Sequence, residues 1–177
     1  DSSIPAMRTF VSGITHPLHR ALVVTLLKTG MRVGECCNLD LRDVTVTDEE
    51  LDETYDLGTR PVLGDRPNSV YVTPDATVGE ELNGEIRSAS NKRKRSTVIP
   101  VDDELAQALK SWLAIRPDCP SSADPLFVGT AEGWGSRLDP QAVRHIVERY
   151  AREAGWYRTG GGATENVTPH YFRQFFT

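Results

Sequence analysis

Three short stretches carry residue types suited to chemistry on a phosphate. The first is TGMRVGE, residues 29–35. Arg32 follows a glycine turn and opens a predicted helix, where free amide N–H groups and the helix dipole would add to its guanidinium charge. Glu35, one turn on, is placed to brace it. The second is NKRKRSTVIPV, residues 91–101. Its consecutive cations Lys92, Arg93, Lys94 and Arg95, read as a hairpin tip, would make a finger for nucleic acid. A lysine there could also protonate a leaving oxygen. The third is TPHYFRQFFT, residues 168–177. Thr168 and Pro169 signal a helix start, and His170 and Arg173 then share one face. In such a pair the arginine neutralises developing phosphoryl charge and the imidazole handles a proton. Taken singly, each stretch also fits an ordinary surface feature: a helical ion pair, a solvated charge run, a helix-start histidine.

The elements that must position these residues are legible by period and cap. Leu18, Leu22 and Leu26 repeat every four residues in a helix starting near Pro17 and ended by Gly30 as a left-handed cap. A short helix follows, from about Arg32 to Leu39. Residues 44–101 change character. VTV, SVYV and STVIPV are β-branched and alternating, so a small antiparallel sheet is expected. The acidic stretch within 47–90, including TDEELDETYD, reads as an insertion of exposed and partly disordered loops. Asp102 caps a helix with Leu105, Ala108, Leu109, Trp112 and Leu113 on one face. Asp139 caps another, with Pro140 at its first position and Gly155 as its stop. Val143, Ile146, Val147, Tyr150 and Ala154 form its apolar stripe, and Arg144 and Arg149 lie off it. TGGGATEN, before the last helix, reads as a connector, since no strand precedes it and no Lys-Ser/Thr follows. The expected fold class is α+β: mostly α-helical, with a small antiparallel sheet and hairpin inserted after the second helix.

The chain has 177 residues, enough for one domain with a full core. Mean hydropathy is −0.39, and no apolar run approaches the ~20 residues of a membrane span, so no membrane partner is expected. The N-terminus lacks the basic-then-apolar pattern of a signal peptide. Three cysteines, two of them adjacent (Cys36 and Cys37), make neither a disulfide framework nor a zinc site. They read as small buried thiols in a reducing cytoplasm. Net charge is −5, and lysine occurs only at 28, 92, 94 and 110. Such an acidic, lysine-poor surface suits a salt-rich cytoplasm. Net charge says little about one face, so what matters is where the cations gather.

In order, Arg-x-x-Glu after a TG turn, a lysine-bearing segment ending in Ile-Pro, and Pro-His-x-x-Arg resemble the catalytic domain of the tyrosine recombinase (phage integrase) family. The resemblance runs from about Pro17 to Thr177. It implies that Arg32 and Arg173 clamp a scissile DNA phosphate and that Glu35 supports Arg32. It implies that His170 assists proton transfer at the nucleophile and that a lysine protonates the leaving 5′ oxygen. Distance from Pro100 favours Lys92 for that lysine, with Lys94 as the alternative. Arg93, Lys94, Arg95, Arg144 and Arg149 are expected to contact DNA. The separation of Arg32 from Lys92 exceeds the family's usual spacing, which marks the acidic stretch as an insertion. Gln174 stands where the family usually has histidine.

The resemblance also implies double-stranded DNA as partner, no metal or other cofactor, and a homo-oligomer that is tetrameric on DNA and monomeric when free. The expected location is the cytoplasm, at the nucleoid. The family's nucleophile is a tyrosine downstream of the second arginine. Tyr55, Tyr71, Tyr150 and Tyr157 precede the His-x-x-Arg motif, and Tyr171 lies inside it. The chain is therefore expected to be a single catalytic core, residues 1–177, without the N-terminal core-binding domain and the C-terminal tyrosine segment. Such a chain binds DNA without cutting it. Two other readings use the same residues: a non-catalytic DNA-binding or regulatory protein on this scaffold, and a type IB topoisomerase relative.

Overall fold

The computed structural model of the protein describes residues 4–131, 133–156 and 167–173. Met7, Phe10, Val11 and Ile14 keep helical spacing, and the first three are the buried residues of helix α1 (Ile4–Ser12). The next helix, α2 (Pro17–Thr29), is apolar almost all round and lies at the centre of the core, as such helices do. Leu18, Leu22 and Leu26 are each at most 2% exposed. His16 caps its start by accepting the Leu18 N–H, and Gly30, at φ 66°, ends it by donating to the Leu26 carbonyl. Helix α3 (Val33–Cys37) follows at once, with Arg32 as N-cap and Asn38 as C-cap. At five residues, it is too short for its dipole to add much to Arg32.

Strand β1 (Val44–Thr45), helix α4 (Glu49–Thr54) and strand β2 (Ser69–Val72) come next. A two-residue hairpin, β3 (Glu81–Leu82) and β4 (Glu85–Ile86), precedes β5 (Thr97–Pro100). The main sheet is antiparallel in the order β1–β2–β5, with Val70 opposite Ile99 and Val72 opposite Thr97. Helix α5 (Asp103–Ile115) starts where Asp102 accepts the Leu105 N–H at 2.9 Å. It packs along α2, and Lys28 ties the two by ion pairs to Asp102 (2.8 Å) and Glu104 (3.2 Å). Trp112, fully buried, donates its indole N–H to the Leu126 carbonyl at 2.8 Å. Helix α6 (Pro140–Glu153) begins at Asp139, which accepts the Ala142 N–H at 2.7 Å, and α7 (Pro169–Phe172) ends the described chain. Among the described residues no helix is long and apolar enough to cross a membrane.

The α+β class with its small antiparallel sheet is as expected; several details are not. The basic run 92–95 is not a hairpin tip: it lies in the segment entering β5. The tip is Asn83-Gly84, both left-handed at φ 57° and 82°, the turn that best matches strand twist in a two-residue loop. The acidic region 47–90 is folded rather than loose. Asp48 caps α4, and Leu51, Leu63, Val70 and Val72 are buried. On α6 the inner face is Val143, Val147 and Ala151; Ala154 is exposed, because it is the C-cap and lies past the last full turn. TGGGATEN, Tyr157, Gln174, Phe175 and Phe176 lie outside the described residues.

The joint between α2 and α6 holds a histidine pair. His16 and His19 stack with ring centroids 4.0 Å apart, and the His19 Nδ1 and the Tyr150 hydroxyl are 2.6 Å apart. Burial first, then the charges of His16 and Arg149, depress His19 from 6.5 to about 4; His16 is lowered too. Between those values an unfolded chain takes up a proton that the folded chain refuses, so acid favours unfolding. The His19 contribution is complete above about pH 6.5 and lost as pH falls toward 4. It amounts to about 2–3 kcal/mol. Urea midpoints measured from pH 7 down to 4.5 should fall, and His16→Gln/His19→Gln should flatten that fall.

Candidate functional site

Three turns and one loop converge beside the end of α2. Arg32 leaves the Gly30 turn as the N-cap of α3, Lys92 comes from the segment before β5, Arg144 from the first turns of α6, and His170 and Arg173 from α7. All five line one cleft of about 630 Å³, together with Gly34, Ser90 and Thr168. Two bonds register the arginines. Arg32 donates from Nη1 to the Lys92 carbonyl at 3.3 Å, and Arg173 from Nε to the Gly30 carbonyl at 2.7 Å. Arg173, distant in sequence, is thereby anchored two residues from Arg32.

The lining of this cleft holds several cations and no carboxylate. Elsewhere Arg60, Arg87, Arg93 and Arg137 all meet carboxylates within 3 Å. Among the described residues no ion pair engages Arg32, Lys92, Arg144 or Arg173. A protein of net charge −5 thus concentrates unpaired cations in one concave place, where an anion gains from several charges at once.

Glu35 holds Arg32 through the main chain and pairs its charge with another arginine. It is 1% exposed and accepts the Arg32 main-chain N–H at 2.8 Å. Its carboxylate is ion-paired not with the Arg32 guanidinium but with that of Arg93, at 2.6 and 3.1 Å. Burial alone would raise its pKa. The bonds from Arg93 and Arg32 and both positive charges outweigh that and hold it below the ordinary value. Arg93 is consequently not a free finger for a ligand: a buried carboxylate has claimed it. Lys94 and Arg95 are exposed on the approach to β5 and do not line the cleft. Arg149 also lies away from it, on an outer patch with His145, Glu148 and Arg152, over the Tyr150 ring.

Of the tyrosines, Tyr55, Tyr71, Tyr150 and Tyr171 fall within the described residues, and none lines the cleft. Tyr55 donates to the Leu113 carbonyl, and Tyr71 lies beneath Arg60. Cys36 and Cys37 are buried. Burial pushes the Cys37 thiol up to about 12.

Gly34 is a further residue of the site. A Cβ there would sit 3.2 Å from the Ser90 carbonyl, so its absence lets α3 lie against the loop that carries Lys92. A glycine inside a helix, which weakens it by roughly 0.5–1 kcal/mol relative to alanine, was the available signal.

Helices packed around a small antiparallel sheet, with a cationic cleft where α2, α3, α6 and α7 meet, define an integrase-like catalytic core. The sequence model of the phage integrase family matches residues 79–177, and the chain belongs to that family. Among curated relatives, tyrosine recombinase XerC of Corynebacterium glutamicum is 27% identical over 153 residues, covering 86% of this chain and 34% of that protein. Tyrosine recombinase XerA of Pyrococcus furiosus is 26% identical over 157 residues, covering 89% and 38%. The chain thus spans little more than a third of the length of these relatives. Among solved structures, XerA recombinase superposes with TM-score 0.62 at 21% identity, over 98% of this chain and 46% of that one. The Tn1549 transposon integrase in complex with transposon right end DNA gives 0.65 at 19%, over 98% and 50%. At such identities these likenesses establish the fold.

Proposed function

We propose that this chain is the phosphate-gripping core of an enzyme that recombines DNA at specific sites through a phosphotyrosine intermediate. The observation that supports this most is the cleft itself: Arg32, Lys92, His170 and Arg173 reach it from separate parts of the chain. Arg32 and Arg173 bind the non-bridging oxygens of a backbone phosphate and stabilise the added charge as it becomes five-coordinate. A tyrosine oxygen attacks phosphorus, His170 takes or returns the tyrosine proton, and the bond to the 5′ oxygen breaks. Lys92 gives that oxygen a proton. The products are a 3′-phosphotyrosine and a free 5′ hydroxyl, and attack by a second strand's 5′ hydroxyl runs the step backwards. Among the described residues no tyrosine lines the cleft. Arg144 and the exposed Lys94 and Arg95 contribute backbone contacts. The working form is a tetramer on duplex DNA built from free monomers, in a salt-rich cytoplasm at the nucleoid.

The cations of the cleft also fit one further reading, a DNA-binding protein that occupies recombination sites without cutting. A nicked suicide duplex separates the two. The chain alone should shift this duplex at low salt and form no covalent adduct. Adding a partner protein that carries the tyrosine segment should produce an adduct that survives denaturation. An adduct dependent on Arg32 and Arg173 of this chain establishes catalysis; binding with no adduct under any pairing establishes the architectural role. Failure to bind duplex DNA at low salt removes both.

A further inference from the structure

We propose that Asn38 and Asn91, aided by the Glu35–Arg93 ion pair, form a latch that presents Lys92, and not Lys94, to the cleft; this rests on the phosphate-binding reading above. The run 92–95 offers two lysines, and its composition alone does not choose between them. The bonds on either side of Lys92 do. Asn91, 7% exposed, donates from Nδ2 to the Thr73 carbonyl just past β2, at 2.9 Å, and its own N–H donates to the Ala76 carbonyl at 2.8 Å. Its side-chain oxygen accepts from the Asn38 amide at 2.9 Å, and the same Asn38 nitrogen donates to the Ala89 carbonyl at 2.9 Å. Asn38 is 3% exposed and caps the end of α3. One residue beyond Lys92, Arg93 grips Glu35, in the middle of that helix, and reaches Thr97 at 3.0 Å.

Residues 89–93 are thus laid along α3 and fastened at both ends, with Lys92 between the fasteners and its carbonyl held by Arg32. The close contact at Gly34 sets the depth. Sliding the segment by two residues would bring Lys94 to the cleft. It would also put Arg93 where Asn91 stands and strip partners from two buried amides, each an unfavourable loss, even though Arg95 would then replace Arg93 against Glu35. Asn38, Asn91 and Arg93 are positioning residues: they reach the reacting phosphate only through Lys92.

The test is the acylation rate of Lys28, Lys92, Lys94 and Lys110, read by mass spectrometry with and without a bound duplex. In the parent chain, duplex should protect Lys92 more strongly than Lys94. In Asn91→Ala the ratio of the two protections should fall by about tenfold, as expected for two lost hydrogen bonds, while Lys110 on α5 reacts as before. If Asn91→Ala does not fold, Arg93→Met decides, with a smaller change in the same direction expected. A variant that folds and keeps the parent ratio overturns the latch and leaves the phosphate cleft standing, even if its thermal midpoint drops. A parent chain whose Lys92 gains no protection from bound duplex overturns the latch and the phosphate-binding reading together.

Discussion

Asp40→Ala is expected to destabilise the fold by about 3–5 kcal/mol. Asp40 is 1% exposed and is the hub of a buried charge network. One oxygen accepts from Arg87 at 2.8 Å and from Asn83 at 3.0 Å; the other accepts from Arg137. Arg87 is itself 1% exposed and also donates to the Asn38 and Leu82 carbonyls. Arg137 keeps Glu85 if Asp40 is lost, but Arg87 has no second carboxylate among the described residues. Alanine would therefore strand a guanidinium in the interior, the arrangement for which breaking an ion pair is most damaging. In a domain of this size, the thermal midpoint should fall by about 10 °C or more. A drop under about 1 kcal/mol would mean that water reaches Arg87 and that the hairpin is not clamped.

The second large effect is on binding. Arg32→Ala and Arg173→Ala should each weaken duplex DNA binding by about 1–3 kcal/mol, the range of a charged hydrogen bond to the backbone. Arg173→Lys should recover only part of the loss. A lysine keeps the charge but has neither the planar fork nor the Nε–H that anchors Arg173 to the Gly30 carbonyl. Arg149→Ala, which removes a cation outside the cleft, should stay within about twofold of the parent. Fluorescence anisotropy with a labelled duplex at fixed salt reads all four. Equal losses for Arg149 and Arg173 would mean that the whole basic surface binds and no cleft is privileged.

Much of this architecture is written locally. Pro17, Gly30, Asp102 and Asp139 mark helix ends by their own chemistry, and those ends stand where the residues put them. Helix α1 is equally legible in the helical spacing of Met7, Phe10 and Val11. The β3–β4 hairpin is announced by Asn83-Gly84, whereas the charge run 92–95 carries no turn residue of that kind. Helix α4 was hidden because a single buried residue, Leu51, gives no period to read. In the site, residue types and order single out Arg32, His170 and Arg173. Partner choice is another matter. That Glu35 would pair with Arg93 instead of the Arg32 guanidinium depends on how the segment before β5 lies against α3. Contacts between residues about sixty apart leave no trace in local pattern. The same holds for Asp40, whose burial follows only from the meeting of a hairpin, a loop and the end of α3.

Arg32 and Arg173 are proposed to grip one DNA phosphate together. The most direct test of that grip is the salt dependence of duplex binding by the Arg32→Ala/Arg173→Ala chain, set against the parent. Each neutralised phosphate contributes about 0.9 to the slope of log affinity against log salt. With both arginines on one phosphate, the double variant should therefore give a line shallower by about 0.9. Parallel lines for variant and parent would mean that neither arginine touches a phosphate, and would contradict the account.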